Sequence, residues 1–156
     1  MSEFAGCPGS RMFDFRTKEA PAQAQTAEVT SQLRQWPIQL HLISPQAPYY
    51  QGADVLLVAD CVAYALGNFH AGYLKGKSIA IACPKLDEGQ DIYVEKIKSW
   101  LEDAKINTLT VLIMQVPCCM GLLNLAKQAA ESSKRKVPIK VIVVSLQGET
   151  LSENWV

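Results

Sequence analysis

The sequence predicts an α/β protein, a three-layer sandwich on a mostly parallel sheet of about five strands. Three observations carry that expectation. Short continuous apolar runs, each about one strand long, recur at residues 54–60, 78–83 and 109–116. Segments between and after them show apolar residues at helical spacing. Each run stops at a turn-forming or polar residue: Asp60, Pro84 and Pro117. A run without alternation marks a strand buried on both faces. Strands alternating with amphipathic helices imply right-handed βαβ units and a sheet covered on both sides. That pattern is Rossmann- or flavodoxin-like.

The elements follow in order. Residues 1–30 read as a loosely attached arm, with a Gly6-Cys-Pro-Gly-Ser10 turn and a low-complexity linker after Pro21. Residues 31–156 then form the single α/β domain. Residues 38–43 alternate apolar and polar, so a partly exposed strand is expected there, with His41 partly buried in it. Residues 54–60 are the first buried run, and a helix over 61–73 should follow, ended by Gly76. Residues 78–83 are the second run, and Asp91 is placed to cap the next helix. Tyr93, Ile97, Trp100, Leu101 and Ala104 share one face of that helix. Residues 109–116 are the third run. A helix over 121–133 turns Leu122, Leu125, Ala126 and Ala129 inward. Residues 138–145 make the final strand.

Bulk composition narrows the function classes. The 156 residues are 49% hydrophobic and 19% charged, with 15 Lys plus Arg against 15 Asp plus Glu, so formal net charge is zero. That offers no electrostatic case for nucleic acid, whose backbone is held by basic residues, and none for an anionic membrane surface. The Lys134-Arg135-Lys136 cluster falls where a helix should end and suits the helix dipole. No segment approaches the ~20 apolar residues of a membrane span. The first residues lack a basic region followed by an apolar core, so a cytoplasmic location is expected. The five cysteines are Cys7, Cys61, Cys83, Cys118 and Cys119. In a reducing compartment such residues are metal-binding, catalytic or buried rather than disulfide-bonded.

Ligands of open parallel sheets bind outside the carboxyl ends of the strands. Three consecutive strand ends carry thiols here: Asp60-Cys61, Cys83-Pro84 and Pro117-Cys118-Cys119. Parallel strands point the same way and lie about 4.8 Å apart, so these thiols can converge on one metal or cluster. Each also precedes or begins an expected helix, whose N-terminus favours the thiolate that ligates iron or zinc. The plainer reading is packing, because free cysteine behaves as a small buried hydrophobe. Cys118 and Cys119 need not both ligate. Cys7 becomes an extra ligand if the arm folds over the sheet edge. Asp60, His70, Lys85 and Asp87 are the polar residues placed to support the site, with a structural role favoured for His70. The sequence has no G-x-G-x-x-G, no phosphate loop, no nucleophile elbow, no C-x-x-C pair and no ferredoxin cysteine run. Any metal site must therefore be assembled from distant parts of the chain.

Several blocks together resemble a known family: Gly6-Cys-Pro-Gly-Ser10, Ser31-Gln-Leu-Arg-Gln-Trp-Pro37, Ala47-Pro-Tyr-Tyr-Gln-Gly-Ala-Asp54, Ala59-Asp-Cys-Val-Ala63, Gly67-Asn-Phe-His70, Cys83-Pro-Lys-Leu-Asp87 and Val116-Pro-Cys-Cys119. They are similar to the C-terminal region of the anaerobe ferredoxin-like proteins called iron–sulfur cluster-binding oxidoreductases. In that family a two-cluster ferredoxin domain precedes the Gly-Cys-Pro-Gly-Ser block; five residues precede it here. The resemblance implies an iron–sulfur cluster, with zinc as the alternative, held by Cys61, Cys83, Cys118 and Cys119 with Cys7. It implies an electron-transfer setting beside a ferredoxin-type protein or domain, with no nucleic acid or membrane partner; a homo-oligomer stays open. Two other expectations stand beside it: a thiol-dependent or small-molecule-binding domain, and a non-catalytic docking domain with structural cysteines.

Overall fold

The computed structural model describes Phe15 and residues 28–156. Cys7 lies outside the described residues. The five strands are β1 (Asp54–Ala59), β2 (Ser78–Ala82), β3 (Thr108–Met114), β4 (Ile139–Val144) and β5 (Thr150–Trp155). They form one sheet in the order β2-β1-β3-β4-β5. The first four are parallel and β5 is antiparallel to β4. The helices are α1 (Val62–Ala65), α2 (Gln90–Glu102) and α3 (Met120–Ser132). Among the described residues no helix is long and apolar enough to cross a membrane.

The three apolar runs are β1, β2 and β3, and β1 and β3 are buried almost end to end. The predicted inward faces of α2 and α3 are the observed ones, and Ala104 just beyond α2 is buried with them. α2 and α3 pack on each other. The basic cluster after α3 closes both helix ends. Arg135 donates to the carbonyls of Leu101 and Ile106 at 3.2 and 2.8 Å, and Lys136 donates to Ala130 at 3.0 Å. These contacts satisfy carbonyls that a helix end leaves without partners.

Four local expectations are corrected. Residues 38–43 are not a strand. Only Gln39 bridges β2, beside Ile81, and the chain then turns. The Gln39 amide oxygen takes the His41 N–H at 2.5 Å, and the Gln39 carbonyl takes the N–H groups of Leu42 and Ile43. Lys96 fixes the turn by donating to the carbonyls of Leu40, His41 and Ile43 at 2.8–2.9 Å. His41 is therefore exposed rather than partly buried. The expected helix over 61–73 is broken: α1 lasts four residues, Leu66 is extended, and a π-turn (His70–Leu74) follows. Gly67-Asn68, both poor helix formers, sit at the break. This face of the sheet is thus thinly covered. Asp91 lies in the first turn of α2, where it suits the dipole, but Gly89 at φ +66° is the cap. Finally, β4 is not the last strand. A turn at Ser145–Glu149 returns the chain as β5, whose mostly exposed residues carry no apolar run.

Candidate functional site

The strand order sets the geometry of the site. From β1 the chain crosses to β2 on one side, then returns past β1 to β3 on the other. The sheet therefore has its switch point between β1 and β3, where an open crevice forms at the carboxyl edge. The strands on either side of that crevice, and β2 beside β1, are the three that carry thiols.

One cleft of about 310 Å³ lies at this edge. Cys61, Cys83, Cys118 and Cys119 all line it, with Asp60 and Lys85. Its remaining wall is apolar: Ala59, Pro84, Leu86, Met114, Val116 and Leu146. The four cysteines are free thiols. The sequence thus located the cleft but missed Met114, Val116 and Leu146. Leu146 belongs to the β4–β5 turn, which no apolar run announced.

Each thiol is held differently. Cys61 follows β1 directly and is exposed at the start of the short α1. Cys118 and Cys119 stand in a 3-10 turn (Pro117–Cys119) that runs straight into α3. Cys119 is the more enclosed, 8% exposed, with the Cys118 thiol beside it. Cys83 is separated from α2 by a loop over residues 84–89. Asp87 shapes that loop. Its carboxylate accepts the Cys83 N–H at 3.0 Å, the Gln39 amide at 3.1 Å and the Tyr93 hydroxyl at 2.5 Å. Its own N–H bonds the Cys83 carbonyl at 2.9 Å. Asp87 therefore fixes the backbone under Cys83 and does not line the cleft. The Pro84 ring lies against Gly121 of α3, where a Cβ would approach it to 3.0 Å, so the loops carrying Cys83 and Cys118-Cys119 meet.

Electrostatics at the cleft favour the protonated form of Cys61 and Cys119. Burial, then the carboxylate of Asp60, then the neighbouring thiols of Cys83 and Cys118 push the Cys61 thiol above its ordinary value. Burial pushes Cys119 up to about 11, partly offset by a backbone hydrogen bond at Met114. Burial, with Asp87 nearby, also raises Asp60. His70 does not join this group. It lines neighbouring hollows, and its Nδ1 accepts the Gln32 N–H at 3.0 Å, tying the incoming chain to the π-turn.

The donor set is chemically suited to zinc or iron, since thiolate sulfur is the soft ligand both accept. Yet among the described residues no three His, Cys, Asp or Glu side chains form a group that could hold a metal ion in the conformation described. The thiols share one cleft without forming a closed cage.

A parallel sheet with a crevice at its switch point is the architecture of Rossmann-type α/β proteins. A family model described as a Rossmann-like domain matches residues 47–156, and the chain belongs to that family. The match includes every strand and the entire thiol-lined cleft. An uncharacterized protein of Archaeoglobus fulgidus is similar, at 27% identity over 119 residues, which is 75% of this chain and 81% of that protein. No solved structure matches.

Proposed function

We propose that the cleft at the carboxyl edge is a thiolate site for an iron–sulfur cluster, or for zinc as the alternative metal, serving redox chemistry beside a ferredoxin-type partner. The observation that carries this reading is the gathering of four free thiols from three adjacent strand ends into one cleft. Cys61, Cys83 and Cys118 would hold the group, with Cys119 or Cys7 completing the set. When bound, an iron–sulfur group supplies one-electron transfer at a potential set by its surroundings. Closing the site requires side-chain rotations between staggered cysteine rotamers. Asp87 keeps the Cys83 backbone in place while this happens, and the apolar wall limits water around the sulfurs. The exposed Leu86 and Met120, beside the cleft residues, suit a partner that docks without strong charge. A reducing cytosolic compartment belongs to this proposal, as does the similarity to the iron–sulfur cluster-binding oxidoreductases.

The raised thiols distinguish this reading from a nucleophilic cysteine. Reactive cysteines sit in electropositive surroundings that lower the thiol pKa, whereas burial and then the Asp60 carboxylate raise that of Cys61. A thiol that stays protonated alone and yields its proton to a metal fits a ligand. The test is iron, zinc and sulfide analysis after anaerobic purification, on the wild type and on Cys83→Ala. Wild type is expected to carry metal, and Cys83→Ala to lose most of it while still folding, with a melting temperature close to that of metal-stripped wild type. Metal-free wild type would defeat the proposal. If Cys83→Ala then only lowered stability, the cysteines would be structural and the domain a docking module. One thiol alkylating far faster than the rest would favour a thiol enzyme.

A further inference from the structure

The thinly covered face of the sheet holds a second, polar cavity of about 240 Å³, remote from the thiols in its lining. In register across its floor stand Leu56 of β1, Thr110 of β3 and Lys140 of β4, with Trp155 of β5 opposite Lys140. Asn68, Gly72 and Tyr73 of the broken crossover, with Lys77, Ile142 and Glu153, line the rest. Thr110 is the unusual member. It lies mid-strand in an otherwise apolar run and is 8% exposed, and its hydroxyl has no hydrogen-bond partner among the described residues. The hydroxyl is not sealed off from the hollow it lines, so its partner is supplied from that hollow rather than by the protein.

The groups around Thr110 say what that partner is. Lys140 bonds Glu153 at 2.6 Å and lies 4.6 Å from the Trp155 ring centroid, so this ion pair is internally balanced. Lys77 adds a further positive charge to the lining. The Thr110 hydroxyl and the Asn68 amide add groups that can donate, while the Tyr73 hydroxyl is bonded to Thr150 and the Glu153 carboxylate to Lys140. With two lysines against one carboxylate in the lining, its net charge is positive. At roughly 30 Å³ per water the volume equals about eight waters, so the ligand is small. A Cβ at Gly72 would come within 2.8 Å of the Asn68 amide nitrogen, so a side chain there would turn that amide aside. π-turns recur at functional sites, and this one forms part of the wall.

We propose that this cavity binds a small organic anion through a carboxylate or phosphate group, held by Lys77 and the Thr110 hydroxyl. The site is independent of the thiol cleft. The test is NMR titration of the full chain with sodium phosphate and with sodium acetate, against sodium chloride at matched ionic strength. Saturable shifts at residues 68–77, 110 and 140 are expected with phosphate or acetate and not with chloride; whichever anion saturates identifies the group recognised. Thr110→Val and Lys77→Gln should each weaken binding by about tenfold, the scale of a lost hydrogen bond to a charged group. Thr110→Val should fold with undiminished stability, and Cys83→Ala should bind as wild type does. Shifts that fail to saturate, that chloride reproduces, or that both variants retain would overturn the proposal.

Discussion

Gly148→Ala is expected to destabilise the fold by about 2–6 kcal/mol, a large share of a domain's total stability. Gly148 lies in the turn between β4 and β5 at φ +85°, a conformation L side chains rarely adopt. A Cβ there would sit 2.1 Å from the carbonyl oxygen of Ala65 at the end of α1. Both groups are backbone, so neither can rotate away. The turn itself resists movement. Ser145 is buried, its hydroxyl accepts the Glu149 N–H at 2.9 Å, and its N–H reaches the Glu149 carbonyl at 2.8 Å. The next residue, Leu146, forms part of the cleft wall and is pinned through its N–H to the Gln115 side chain at 3.0 Å. Gly52→Ala separates the two causes. Gly52 has φ +62° but open space around it, so it suffers the strain alone, about 1–3 kcal/mol. Urea denaturation of the two variants checks this. Equal losses would mean that the contact with Ala65 contributes nothing.

Gln35→Ala should cost about 2–4 kcal/mol and make the protein prone to association. β2 is an edge strand, and Gln35 substitutes for a neighbouring strand there. Its amide oxygen accepts the Ile79 N–H at 2.8 Å while its amide nitrogen donates to the Ile79 carbonyl at 2.8 Å. The same nitrogen bonds the hydroxyl of the fully buried Tyr50 at 2.9 Å, and that hydroxyl also donates to Ile79 at 2.9 Å. Alanine leaves a buried backbone N–H with no acceptor and opens the β2 edge to another chain. Denaturation midpoints and light scattering report the two consequences separately. A variant within about 0.5 kcal/mol of wild type, the ordinary range for surface changes, would show that the edge is closed by other means.

The parts of this fold that were legible in the sequence are those whose burial decides their structure. The three apolar runs became β1, β2 and β3 because strands flanked on both faces must be apolar throughout. The faces of α2 and α3 followed from spacing for the same reason. Where packing is one-sided the sequence misled. Residues 38–43 alternate like a strand, yet the side chains of Gln39 and Lys96 bend them into a turn through contacts between distant parts of the chain. β5 is exposed, so its pairing with β4 left no hydrophobic trace. The cysteines were legible as strand-end residues. Their convergence depended on strand order, which spacing does not encode. The role of Asp87 as a brace for the Cys83 backbone and the membership of Leu146 in the cleft also arose from tertiary contacts.

The proposed ligand set is Cys61, Cys83 and the Cys118-Cys119 pair acting together. Its most direct test is cysteine footprinting of the anaerobic protein, with iodoacetamide and mass spectrometry, before and after reconstitution with iron and sulfide or with zinc. Metal is expected to protect Cys61, Cys83 and at least one of Cys118 and Cys119 together, and a chelator to restore their reactivity together. Identical alkylation of these thiols with and without metal would contradict it.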